Sequence, residues 1–288
     1  MVCAAFAAQP CTASAIEHSS ILRALPGARL AGVDGEGRCM PERLRAAMAD
    51  ATALVCVQAA NNETGVVQPL GELVAAARAQ APGCWIHVDA CQAAGKLALD
   101  LGRIGADSAS IAGHKLGAPK GVGALVVRAG RTLPPLLRGG RQQQDRRSGT
   151  EDPALAAALA AALEQHRELG EAERMRQRTL LAQLWADLRD HCPDAVWLGH
   201  GAERLPGTML VARPGRDAEI LVQRLDLAGF AVSRGAACMA GRGEPSHVVR
   251  AMGVDPELAR GALRVSIGQA TTAAELAAFA AAYAAESA

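Results

Sequence analysis

The sequence predicts an α/β fold: a mainly parallel sheet with helices on both faces, followed by a smaller C-terminal α+β domain. Three observations predict it. Short apolar runs alternate with helix-like segments through the first two-thirds of the chain, the pattern of strands joined by helical crossovers. Asn61-Asn62-Glu63, Asp89 and His114-Lys115 each follow such a run immediately; sheets of this kind bind ligands beyond the carboxyl ends of their strands. A long helical stretch over 153–191 then separates this alternation from a second one.

Thr52–Gln58 reads as a buried strand, followed by the turn-rich Ala59–Gly65. Pro69 opens a helical pattern through about Ala81, with proline in the first turn, where its missing N–H has no partner to lose. Cys84–Val88 is the next strand and ends at Asp89. A helical turn leads to the strand Asp107–Ala112, the loop carrying Lys115, and the strand Val122–Arg128. Leu133–Glu151, with Pro134-Pro135, Gly139-Gly140 and Arg146-Arg147, reads as a polar loop. Pro153–His191 places Glu and Arg on one helical face and Leu and Ala on the other. Beyond it come strand Thr208–Ala212, helix Asp217–Ala228, strand Phe230–Ser233, helix Pro245–Met252, strand Leu263–Ile267 and a helix from Thr272. The expected division is a large domain over 1–160 and a small one over 161–288.

Thirty basic against 29 acidic residues leave a net charge of +1 with no long basic run, so neither nucleic acid nor an anionic membrane is the expected partner. The 288 residues suffice for a sizeable core. Eight cysteines lie scattered without a CxxC pair, which fits neither a zinc site nor a disulfide scaffold; no metal is expected, and a reducing cytoplasm is the expected setting. The first residues lack a basic stretch followed by an apolar one, so no signal peptide is expected. Runs such as Ala154–Leu163 are too short to span a bilayer.

Lys115 lies in Ser110-Ile-Ala-Gly-His-Lys-Leu-Gly-Ala-Pro-Lys-Gly-Val-Gly-Ala-Leu-Val-Val127. A lysine at the end of a buried strand is desolvated, which favours the neutral amine that condenses with aldehydes. Asp89 closes an apolar strand, and Gln92 lies one helical turn later on the same side. A buried carboxylate needs a cationic partner, and the pyridinium nitrogen of pyridoxal phosphate is one such partner, with Gln92 against its phenolate oxygen. The plainer reading is an Asp cap followed by a surface Gln. Asn61-Asn62 and Thr64-Gly65 also make an ordinary turn. His18 reads either as a helix-start histidine or as a ring stacked on a cofactor that also moves protons. Arg264 interrupts an apolar strand, where an arginine meets a carboxylate of the protein or of a substrate. Cys238 sits among small residues between Arg234 and Arg242, the setting of a reactive thiol.

Together these segments resemble the cysteine desulfurases, in the class V aminotransferase branch of the fold-type-I pyridoxal phosphate enzymes. The matching stretches are Ile16–His18, Asn61–Pro69, His87–Lys96, Gly113–Leu125, Arg147–Asp152, Ser233–Cys238, Glu244–Gly253 and Leu263–Gly268, in family order. The resemblance implies the transferase type I fold, pyridoxal 5'-phosphate as cofactor and L-cysteine as substrate. It implies that Lys115 bears the cofactor and acts as acid and base, that Asp89 holds the pyridinium, and that Gln92 and Asn62 contact the phenolate oxygen or the substrate. His18 would stack on the ring, and His114 would bind phosphate, as would Thr150 across a homodimer interface. Arg264 would clamp the substrate carboxylate. Cys238 would attack the substrate sulfur, releasing alanine and forming a persulfide whose sulfur passes to an acceptor protein in iron–sulfur cluster assembly or tRNA thiolation. A selenocysteine lyase, another class V lyase or transaminase, and an inactive truncated remnant are the alternatives. Two departures follow. Ala112 stands where the family has a phosphate-binding serine. The family's first roughly 80 residues, with a Thr-containing loop at a helix N-terminus that cups the phosphate, have no counterpart before His18, so a truncated chain with an incomplete phosphate pocket is expected.

Overall fold

Leu54-Val-Cys-Val-Gln58 and Trp85-Ile-His-Val-Asp89 are buried along almost their whole lengths, which suits central strands of a parallel sheet covered on both faces. The computed structural model describes residues 1–235 and 245–287. These form two units: one of Met1–Gly32, Cys39–Ala60 and Gln68–Glu168, the other of Val33–Arg38, Asn61–Val67 and Leu169–Ala288.

The first unit holds six described strands: β1 (Cys11–Ser14), β2 (Arg29–Ala31), β3 (Leu54–Gln58), β4 (Trp85–Asp89), β5 (Ser108–Ala112) and β6 (Gly123–Val127). Their order is β2-β1-β3-β4-β5-β6. The first five are parallel and β6 runs antiparallel to β5. β1 and β2 lie in a stretch where sequence pattern marks no strand. β1 is buried throughout, yet its residues, Cys-Thr-Ala-Ser, are small and half of them polar, so no hydrophobic run announces it. Ala13, Leu54, Cys56 and Trp85 make one apolar face, against which Val2 and Phe6 pack. Asp107, with a fully buried side chain, ties the start of β5 to its surroundings. It receives Arg78 at 2.5 Å, Arg131 at 2.8 Å, Arg128 at 3.1 Å and the Ile86 amide at 2.8 Å.

The second unit contains β7 (Val196–Trp197), β8 (Thr208–Ala212), β9 (Ser233–Arg234) and β10 (Leu263–Ser266), antiparallel in the order β7-β8-β10-β9. Met209, Val211, Leu263 and Val265 form a core with Leu181, Leu184, Leu188, Leu221, Phe279 and Tyr283. Period-2 alternation along β10 places Arg264 on the opposite face from Leu263 and Val265. The helix Ala273–Glu286 begins with a capping box of Thr272 and Glu275.

The stretch 153–191, read from sequence as one long helix, is broken at Gly170 (φ 57°, ψ −149°), a conformation that glycine adopts without a Cβ clash. The strand expected at Phe230–Ser233 is Ser233–Arg234, and the helix expected at Pro245–Met252 is His247–Ala251, capped by the Ser246 hydroxyl. Among the described residues no helix is long and apolar enough to cross a membrane.

Candidate active site

Because β1, β3, β4 and β5 run parallel, the residues that follow them stand at one edge of the sheet. Asp89, the last residue of β4, pairs with Gln58 on β3 and Ser110 on β5. Its Oδ1 accepts the Cys91 amide at 2.9 Å and the Ser110 hydroxyl at 3.5 Å. One carboxylate oxygen therefore caps the turn after β4, as the plainer reading of Asp89 has it. Gln92 follows, its Oε1 accepting from Lys96 Nζ at 3.2 Å. Cys91 lies between them. Burial pushes its thiol up to about 12, the Asp89 carboxylate adds to this, and the Lys115 ammonium opposes it. The influence of both charges on one thiol brings Asp89 and Lys115 to a common neighbourhood.

His114 and Lys115 occupy the tight turn Gly113–Lys115 that follows β5. The Gly113 amide donates to Val122 O at 3.0 Å, and Gly113 O accepts from Leu116 and Ala118. A Cβ at Gly113 would stand 2.8 Å from Val122 Cγ1 and 2.9 Å from Val122 O, so this turn requires glycine. Both His114 and Lys115 are exposed. The burial expected of Lys115 is not found, because the turn lifts it clear of a strand whose last three residues are only half-buried.

His18 caps the helix Ser19–Leu22, its Nδ1 taking the Ser20 amide at 3.2 Å. Beside it is Glu17, which the sequence reading passes over. Glu17 is fully buried, and its Oε1 accepts the Ser14 hydroxyl at 2.5 Å and the Gln58 amide at 2.7 Å. Burial pushes its carboxyl up to about 8 against the pull of the Ser14 bond, and the nearby Asp89 charge reinforces burial. It is thus protonated at neutral pH. His87, one pleat before Asp89, is held down to about 4 by burial and shares a 2.9 Å bond with Ser108 Oγ. Near Asp89 the sheet edge thus holds two groups that burial drives toward their neutral forms, Glu17 and His87.

Asn62 and Arg264 belong to the second unit. Asn61 Oδ1 accepts the amides of Glu63 (2.8 Å) and Thr64 (3.0 Å), folding 61–65 into a tight turn. Arg264 Nη1 donates to the Asn62 carbonyl at 2.9 Å. Glu63, named from sequence with Asn61 and Asn62 but given no role of its own, is buried, with Oε1 accepting the Ser246 hydroxyl at 2.8 Å. A sequence signal existed for Glu63, in the turn after the apolar run 54–58, but not for Glu17, since no hydrophobic run announces β1. Thr150 is exposed and lines a cavity of about 630 Å³ with Arg146, Arg147, Gly149 and β6 residues, a cavity not lined by Asp89, Gln92, His18 or Lys115. Cys238 lies outside the described residues. Among the described residues no cluster of His, Cys, Asp and Glu is placed to hold a metal ion.

A family model described as aminotransferase class-V matches residues 12–279. The chain is 40% identical over 271 residues to a cysteine desulfurase of Gluconacetobacter diazotrophicus, covering 91% of this chain and 67% of that protein. It is 44% identical over 244 residues to one of Cereibacter sphaeroides, covering 85% of this chain and 62% of that one. It is 39% identical to the cysteine desulfurase NifS of Azotobacter vinelandii, covering 85% and 60%. The chain thus spans about 60 to 67% of the length of these curated relatives. Among solved structures, a NifS-like protein of Rickettsia africae superposes with a TM-score of 0.88 at 28% identity over 98% of this chain and 76% of that one. DndA of Streptomyces lividans does so with 0.73 at 32% identity, over 90% and 74%.

Proposed function

The chain belongs to the aminotransferase class-V family, and from that premise we propose that it is a pyridoxal phosphate-dependent cysteine desulfurase, converting L-cysteine to L-alanine with its sulfur captured on Cys238. The observation that carries the reading is Asp89 at the end of β4, paired with Ser110 of β5, the strand that leads into the Lys115 turn. The donor set fits the family's cofactor at its ring end. Asp89 Oδ1 takes the Cys91 amide and the Ser110 hydroxyl, and this carboxylate is the group that would meet a ring N–H. Lys115 offers an exposed amine for the aldehyde, and Gln92 keeps its amide NH2 for the phenolate oxygen, since its bond to Lys96 uses only Oε1.

When bound, pyridoxal phosphate supplies an electron sink for negative charge developing on the substrate. Asp89 keeps the ring nitrogen protonated and Lys115 Nζ accepts and returns protons at the substrate carbon. His18 would stack on the ring, Asn62 and Gln92 would bond its phenolate oxygen, and His114, with Thr150 from across a homodimer interface, would hold phosphate. Arg264 takes the substrate carboxylate. Cys238 Sγ forms a bond to the substrate sulfur as the carbon–sulfur bond breaks, leaving a persulfide. The reading takes 1–160 as the cofactor-binding domain and 161–288 as the small one, with the segment Asn61–Val67 that carries Asn62 clustering in the second unit. The reading extends to a cytoplasmic homodimer that passes sulfur to an acceptor protein; the seven described cysteines are all free thiols, which suits a reducing compartment.

The test combines spectroscopy and turnover. Added pyridoxal phosphate should produce a visible absorbance band and a borohydride-stable attachment at Lys115, both lost in Lys115→Ala. Cys238→Ser should abolish sulfide release and leave the band intact. A protein without the band, or one whose band survives Lys115→Ala, is not this enzyme. Faster turnover of selenocysteine than of cysteine would move the assignment to a selenocysteine lyase.

A further inference from the structure

We propose that Glu63 is the positioning residue for Arg264: its buried carboxyl group fixes where the guanidinium stands, and so how tightly a substrate carboxylate is held. The inference rests on the clamp role proposed for Arg264. Glu63 directly follows Asn62, whose carbonyl receives Arg264 Nη1 at 2.9 Å. The turn that carries both is stiff, because Asn61 Oδ1 accepts two of its amides and the Asn61 carbonyl accepts the Gly65 amide at 3.0 Å. The Glu63 backbone is therefore fixed next to the carbonyl that accepts Arg264.

Three segments converge on that side chain, which is 1% exposed. From one side Ser246 donates to Oε1 at 2.8 Å while capping the Val248 amide at 3.0 Å. From another, Gly235 follows β9, and a Cβ added there would stand 2.6 Å from Glu63 Oε2. From the third, β10 brings Arg264 to the Asn62 carbonyl beside it, close enough for the guanidinium charge to act on the Glu63 carboxyl. Oε2 itself is buried and takes no hydrogen bond among the described residues. Burial pushes the carboxyl up to about 7, with the Ser246 bond and the Arg264 charge pulling it down. An apolar side chain of similar volume would avoid the desolvation cost entirely. What a carboxyl adds is a tie to Ser246 and a negative charge facing Arg264.

The experiment measures, on the cofactor-loaded protein, calorimetric dissociation constants for two fragments of cysteine: 3-mercaptopropionate, which keeps the carboxylate, and cysteamine, which lacks it. Glu63→Ala should weaken 3-mercaptopropionate about tenfold, the effect of one charge-assisted contact, and leave cysteamine within about twofold. The KM for L-cysteine should rise in parallel while kcat stays within about threefold, because the contact is made equally in ground and transition states. Ser246→Ala should weaken 3-mercaptopropionate by about threefold. In an Arg264→Gln background, Glu63→Ala should add nothing, since both changes remove one coupled unit. Glu63→Gln, which preserves volume and an acceptor for Ser246, should fall between wild type and Glu63→Ala, and it carries the test if Glu63→Ala fails to unfold cooperatively. Equal weakening of both fragments, or additivity with Arg264→Gln, overturns the proposal. So does a wild type that does not bind 3-mercaptopropionate. A wild type that binds it with this coupling but does not turn over L-cysteine sinks the desulfurase reading and leaves the positioning role standing.

Discussion

Arg264 Nη1 donates to the main-chain carbonyl of Asn62 at 2.9 Å, joining residues 202 positions apart. Sequence reasoning nominates both for substrate contact on unrelated grounds, one as a turn residue and one as a charge inside an apolar strand. The fold links them through the Asn62 backbone, so the two side chains are not interchangeable in effect. Arg264→Ala should destabilise the protein by about 1–2 kcal/mol, the cost of leaving a part-buried carbonyl without its charged donor. Asn62→Ala should cost under about 0.5 kcal/mol, since the carbonyl remains. Urea unfolding of the two variants compares them directly, and equal losses would show that the bond does not contribute to stability.

Glu17 makes stability fall with rising pH. Its carboxyl sits at about 8 in the fold against an ordinary 4.5, with burial as the main cause. Between those values the unfolded chain has released the proton and the folded chain still holds it. The stabilising contribution is complete below about pH 4.5 and gone above about pH 8, at up to about 1.4 kcal/mol per pH unit in between. Glu17→Gln keeps an acceptor for the Gln58 amide and removes the titration. Its urea midpoint should gain on wild type steadily from pH 5 to pH 8; a constant difference would assign the titration elsewhere.

Asp107 has the opposite sign. Burial opposes its ionisation, but the Ile86 amide and the Arg78 and Arg131 guanidiniums outweigh it and hold the carboxyl below 3.8. Its contribution is present above that value and lost as pH falls through the folded-state pKa. Asp107→Asn should destabilise by about 2–4 kcal/mol, less than for a dry buried cluster because the arginines are 25 to 46% exposed and screened by solvent. A loss below about 1 kcal/mol by urea unfolding would mean that the arginines find water instead.

Glycines around the Lys115 turn should separate by their neighbours. A Cβ at Gly123 would stand 2.6 Å from Ile111 O, and one at Gly113 would meet Val122. Gly123→Ala and Gly113→Ala should each cost about 1–3 kcal/mol and reduce attachment at Lys115. Gly71, in the helix Leu70–Gln80, has nothing within 4 Å of such a Cβ. Gly71→Ala should raise stability by up to about 1 kcal/mol with attachment unchanged. Thermal unfolding and the borohydride assay read both quantities.

Much of the sheet edge was legible because hydrophobic runs mark β3, β4 and β5, and the residues that end those runs are fixed by chain order alone. Asp89, Gln92, His114 and Lys115 could be placed at strand ends without coordinates. β1 could not: its burial comes from its neighbours rather than from its own Cys-Thr-Ala-Ser, and small polar residues have no pattern to detect. The break in 153–191 was equally hidden, since Gly170 alone does not end a helical pattern.

By itself, then, the sequence determined the order of strands and helices along most of the chain and the chemical kinds of group that end the strands. Only tertiary structure decided which of those groups are charged, exposed or joined. Lys115 stands in the open, burial holds the Glu17 carboxyl toward its protonated form, and Glu63 is a buried carboxyl that feels the Arg264 charge. The physical reason is that burial and Coulomb interaction depend on distance in space, and a sequence records distance only along the chain.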